Sequence, residues 1–243
     1  MSFRLRGFFL HLSVSMILAL LSIILVFVIW YPSPLYLAVG VTTIFLILLG
    51  VDVILGPLLT LLVCKEGKKS LKFDLAVIVF LQLSAFAYGM YTVAQGRPVW
   101  IVFNIDRFDL VQAYQVANSY RSDAKPEYRK FSLLGPRIVA ARRPLDVEAQ
   151  NTLIFESLEG IDIPVRPDLY LPYADDFENV KAAALPLASL SKYNRPDDVN
   201  KILAEWPDAD AFLPMMTKVR PMTVLIKKET GSILAIVPLI PWG

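Results

Sequence analysis

"LLGVDVILGPLLTLLVC", residues 48–64, sets a single carboxylate in the middle of an apolar run. Asp52 has no charged neighbour within ten residues on either side, and Gly56-Pro57 follows it. Working outward, the uncharged surroundings extend from Leu35 to Val63, interrupted only by Asp52. Two further runs flank this one. Leu12–Trp30 and Leu75–Ala94 carry no charge at all. A helix needs about 20 apolar residues to cross roughly 30 Å of hydrocarbon, so each run is long enough to span a membrane. The middle run is long enough to tilt or bend as well.

The spacing predicts three spans, at about 8–30, 35–63 and 73–94, within a membrane domain of residues 1–96. The first has a basic start at Arg4 and Arg6 but is followed by "WYPSP" rather than a small-residue cleavage site. It therefore reads as a retained span ending in interfacial aromatics. "YPSP" and "EGKK" are short connections, so span two has spans one and three as neighbours. Arg4, Arg6 and the lysines of "CKEGKKSLK", residues 64–72, put the N-terminus and that loop on the cytoplasmic side, because cytoplasmic loops collect Lys and Arg. Three spans then place the rest of the chain outside.

Residues 97–243 have a different composition, with 14 of the chain's 17 prolines and 18 basic against 19 acidic side chains. A nearly neutral domain argues against a nucleic-acid partner. The only cysteine is Cys64 and the only histidine is His11, both in the membrane half. The outer domain therefore has no disulfide, no Cys/His zinc site and no Ser-His or Cys-His pair. Its opening "VWIVFNID" reads as a buried strand, while "FDLVQAYQV" fits strand or helix. "FSLL" and "RIVAA" read as short strands about Gly135-Pro136. Asp146 caps a helix ended by Gly160, two short helices follow, and Thr223–Lys227 pairs with Ser232–Val237 in a hairpin. The expected fold class is a bundle of three transmembrane α-helices followed by a small α+β extracytoplasmic domain with a C-terminal β-hairpin.

An intramembrane acid is a functional candidate by default and faces the bundle interior. Asp52 lies about 16 Å above Val63 and Gln82 about 13 Å above the start of span three, from the rise of 1.5 Å per residue. Ser15 and Ser22 bracket the same depth on span one, and His11 lies nearer the edge. A polar site of Asp52, Gln82, Ser15 and Ser22 is expected, with a helix bend at Gly56 and Pro57, because Pro57 leaves the carbonyl of Val53 without its donor. Three readings of Asp52 stand: polar glue between helices, a seat for a partner helix, and proton chemistry. Aspartyl proteolysis is excluded, since it needs two carboxylates sharing a site. Asp74 sits at the surface beside Lys72, as the cap of span three. In the outer domain "NIDRFD", with Asp106, Arg107 and Phe108, is a candidate partner-binding edge, set against the plainer reading of a salt-bridged strand corner.

"GVDVILGPLLT", "GKKSLKFDLAVI", "QLSAFAYG", "FNIDRFDLV" and "VPLIPW", in this order and spacing, resemble the type IV pilin accessory proteins of the TfpX/TfpZ kind. The likeness covers residues 8–113 and the final hairpin. It implies an inner-membrane protein that supports pilin stability, pilus assembly or pilus dynamics such as twitching motility, with no catalytic activity, no metal and no cofactor. The implied partner is the major type IV pilin, held before assembly by an apolar N-terminal helix carrying a glutamate. That helix would dock on the spans near Asp52 while the outer domain met the pilin head. A membrane-anchored sensor with a periplasmic ligand-binding domain is the alternative, weakened by the lack of any cytoplasmic output domain.

Overall fold

The computed structural model describes residues 2–242. Three helices are long and apolar enough to cross a membrane: Phe3–Trp30, Val41–Val63 and Leu71–Gln95. The first is α1 (Phe3–Ile23) continued by a π-helix over Ile24–Trp30. Its start is capped by Ser2, whose hydroxyl accepts from Leu5 N–H. The second joins α3 (Val41–Gly50) to α4 (Gly56–Val63) through a π-helical stretch, Val51–Leu55. The third is α5 (Leu71–Gln95). Span two is the hub: α1 packs along α4, and α5 packs along α3 and α4. Asp74 does not cap α5. Ser70 holds the cap position, and Asp74 lies within the first turn, bonded to Ser70 and to Lys68 at 2.7 Å.

Span two starts six residues later than the apolar run implies. Leu35–Val39 forms a separate short helix, α2, ended by Gly40 in the left-handed region at φ 69°. The Ala38 carbonyl accepts from Val219 and Arg220 N–H. Leu35 and Ala38 are buried in the same cluster as Phe103, Leu213, Met215 and Val224. The apolar signal of residues 35–39 thus comes from burial in the outer domain, not from lipid; hydropathy alone does not separate the two solvents.

The outer domain is built on β1 (Pro98–Asn104), β2 (Arg107–Gln112), β3 (Arg137–Ala141), β4 (Tyr170–Leu171), β5 (Leu185–Pro186), β6 (Ala211–Met216), β7 (Met222–Lys227) and β8 (Ser232–Val237). The sheet order is β4-β3-β1-β2-β6-β7-β8, with β5 also paired to β6. The β1–β3 and β2–β6 pairs are parallel and the others antiparallel. Helices α6 (Val147–Leu158), α7 (Phe177–Ala183) and α8 (Pro196–Glu205) complete it. Side chains alternate faces along a strand, and both faces are covered. Ile101, Phe103, Leu213, Met215, Val224 and Ile226 meet α2 and Val180 of α7. Trp100, Val102 and Val139 meet Leu153 of α6 and Tyr170, while Phe212 and Leu225 meet Val199 of α8. Burial on both sides explains the unbroken apolar run "VWIVF". "FDLVQ" settles as strand, and "FSLL" is loop rather than strand.

Chain direction orients the sheet. Pro98 follows span three directly, so β1 runs away from the membrane, and β2 returns until Gln112 donates to the Gly96 carbonyl. β6 lies parallel to β2 and ends in the 217–221 loop beside Gly40, where span two begins. The β1–β2 and β7–β8 turns therefore lie at the far end, one strand length from the bilayer.

Candidate functional site

The π-helical stretch puts Asp52 against span three. In an i→i+5 ladder the Asp52 carbonyl would face the nitrogen of Pro57, which has no hydrogen. Gln82 supplies the donor instead: its Nε2 lies 2.9 Å from the Asp52 carbonyl, 2.6 Å from Asp52 Oδ1 and 3.2 Å from Ser15 Oγ. All three spans meet at this amide. Asp52 is only 4% exposed. Gly56 allows the approach, since a Cβ there would stand 1.9 Å from Gln82 Oε1. At Gly56 it is the missing side chain that matters here, because it lets the Gln82 amide lie against span two.

Of the expected polar residues, Ser15 joins Asp52 and Gln82. Ser22 does not. It is buried, and its hydroxyl donates to the Leu18 carbonyl 2.7 Å away within its own helix. His11 makes a separate tie nearer the end of the spans away from the sheet domain, with Nδ1 2.6 Å from Thr60 Oγ1. Asp52 Oδ2 and Gln82 Oε1 are buried with no hydrogen-bond partner.

These groups form the floor of a groove of about 340 Å³ between spans one and three. Leu10, Val14 and Leu18 line one wall and Leu75, Val79 and Leu83 the other, each at spacing i, i+4, i+8. Span two contributes Asp52, Thr60 and Cys64 to the floor. Rows spaced by four are the ridges with which helices interdigitate, so the groove has the form of a helix seat. The sequence carried this signal, but one continuous apolar helix offers several such rows, and only the neighbours decide which one is open.

At the far end of the outer domain, the β1–β2 turn places Asp106 at an exposed tip. Arg107 is half-buried, 3.4 Å from Asp109. Phe108 is fully buried, packed edge-to-face on Phe103 with centroids 5.5 Å apart, so it belongs to the core and not to a contact edge. Ile105 takes its place at the surface, 54% exposed. It is the one non-glycine residue with positive φ, 64°, among the described residues, and Asp106 N–H closes a tight turn on the Asn104 carbonyl at 2.8 Å. A β-branched residue held in this conformation stores strain, and such strain gathers at functional positions.

Burial pushes the neighbouring Asp109 carboxyl up from 3.8 to about 6, because Arg107 and Asn104 offset only part of its lost hydration. A raised acid pKa means that the folded chain holds its proton at a pH where the unfolded chain has released it. Stability therefore falls as pH rises from about 4 to about 6. Asp109→Asn should remove that slope and stabilise the sheet at neutral pH by roughly 2–3 kcal/mol. Thermal melts of both proteins across this pH range check it; parallel profiles would contradict it.

The structure thus defines a class: a three-span membrane protein with a mixed-sheet domain on one side and a polar-floored groove among its spans. The fimbrial assembly protein FimB family matches residues 1–40. Two fimbrial assembly proteins of Dichelobacter nodosus extend the match. That of serogroup E1 is 35% identical over 187 residues, covering 76% of this chain and 73% of its own. That of serogroup I is 34% identical over 180 residues, covering 73% and 70%. The chain belongs to the fimbrial assembly protein family. No solved structure gives a significant match.

Proposed function

We propose that this protein is a non-enzymatic accessory of type IV pilus assembly, of the TfpX/TfpZ kind, in the bacterial inner membrane. Arg4, Arg6 and the lysine loop face the cytoplasm, and the sheet domain stands in the periplasm. The apolar N-terminal helix of the major pilin docks in the groove between spans one and three, and the pilin head meets the far end of the sheet domain around Ile105 and Asp106. The observation that carries this reading is the groove itself, with two ridged apolar walls over the Asp52–Gln82–Ser15 cluster, in which Asp52 Oδ2 and Gln82 Oε1 are buried without partners. In hydrocarbon an unsatisfied polar group costs several kcal/mol, so the seat favours an occupant that brings a donor. An acyl chain brings none.

The test is crosslinking in native membranes. A photoreactive residue at Val79, which lines the groove, should capture the pilin, and one at Phe80, which lies outside it on the same helix, should not. Capture from both positions, or from neither, would remove the groove as the docking site.

A further inference from the structure

The loop that enters β3, Phe131–Pro136, carries two leucines that the fold leaves in the open: Leu133 is 71% and Leu134 83% exposed. Its place makes this informative. β3 runs parallel to β1, away from the membrane, so the loop before it lies at the membrane end of the sheet. Gly135, left-handed at φ 91°, comes so close to span one that a Cβ there would sit 3.1 Å from the Ile29 carbonyl. Ile29 is one residue from Trp30, the aromatic that closes span one at the interface. The leucine pair is thus level with the last turn of a lipid-facing helix.

The geometry points to a second membrane contact: the 131–136 loop dips into the interfacial layer of the bilayer beside span one, with Leu133 and Leu134 as its apolar tip. The tip's backbone suits that medium, since Leu134 N–H already has a partner in Ser132 Oγ at 3.0 Å. The flanks suit it too. The outer domain is nearly neutral, yet over residues 121–137 Arg121, Lys125, Arg129, Lys130 and Arg137 stand against only Asp123 and Glu127. Basic side chains around an apolar tip are the composition of a surface that rests on anionic headgroups. The occupant is the bilayer that already holds span one, because the patch is continuous with that helix. The inference does not depend on the pilin or on which way the protein faces.

The experiment uses the full chain in vesicles containing an anionic phospholipid. Cys64 is replaced by alanine, and a single cysteine is introduced as Leu134→Cys or, at the far β7–β8 turn, as Glu229→Cys. Each carries an environment-sensitive fluorophore, and resistance of the sheet domain to protease confirms that it is folded. The label at 134 should emit to the blue of the label at 229. Lipids spin-labelled near the headgroup should quench it at least about twofold more strongly. Water-like emission at both positions would overturn the inference. So would blue-shifted emission at 134 without lipid quenching, which would mean that protein covers the tip.

Discussion

Asp52→Leu should leave the protein in the membrane and remove its function. Gln82 Nε2 loses its 2.6 Å contact to the carboxylate but keeps the backbone carbonyl of residue 52 and Ser15 Oγ as acceptors. Interhelical hydrogen bonds of this kind are worth roughly 0.6–2 kcal/mol, so the bundle should survive at a moderately reduced level. The groove floor, however, becomes apolar where a donor is expected. A tenfold loss of docking corresponds to about 1.4 kcal/mol, and piliation should fall by about that factor or more. Asp52→Asn separates the possibilities, because it keeps the acceptor for Gln82 and removes only the acid. Glue predicts normal piliation in Asn and low protein in Leu. A docking seat that needs the carboxylate predicts low piliation in both, with protein normal in Asn and only moderately reduced in Leu. Protein level, pilus number and the Val79 crosslink, measured together, decide; normal values of all three in both variants would falsify a functional role for Asp52.

Ala38→Asp should have the largest effect on stability. Ala38 is fully buried where α2 meets the sheet, in the apolar cluster of Leu213, Met215 and Val224. An unpaired charge in such a place costs at least roughly 3–5 kcal/mol. The sheet domain should come away from the spans and become protease-sensitive, and the amount of protein should drop severalfold. Gly40→Ala is the graded comparison. Its left-handed φ of 69° and a built Cβ 3.3 Å from Val219 Cγ2 set a cost of about 1–3 kcal/mol. A protein that accepts aspartate at 38 with an intact, protease-resistant sheet would show that α2 is not held as described.

Much of this was legible in the sequence because lipid imposes one simple rule on composition and length. The three spans, the acid at Asp52 and its meeting with Gln82 and Ser15 follow from run lengths and the helical rise. The hairpin of β7 and β8 and the Asp146 cap follow from local turn and cap chemistry. The losses have physical causes. Leu35–Val39 is apolar for a protein core, and a run of apolar residues does not say which solvent it avoids. Phe108 sits among charges in "DRFD" yet points inward, because strand alternation is fixed by register. β6 was invisible because "AFLPMM" contains a proline, and it joins β2 from about 100 residues further along the chain, a non-local pairing that no window detects. Ser22 shares the buried face of Ser15 but lies two turns, about 10 Å, further along the helix, beyond the reach of Gln82.

The seat of α2 has a consequence for the order in which the molecule is built. Leu35 and Ala38 leave the ribosome early, yet the strands that cover them, β6 and β7, are made roughly 170 residues later. The two spans that flank α2 can be in the bilayer long before the sheet exists, with an uncovered apolar helix between them. Because β6 also supplies the pairing partner of β2, the same late event closes the sheet and caps the membrane hairpin. A chain that stalls before residue 211 would carry inserted spans and an unfinished outer half, with the apolar face of α2 left uncovered between them.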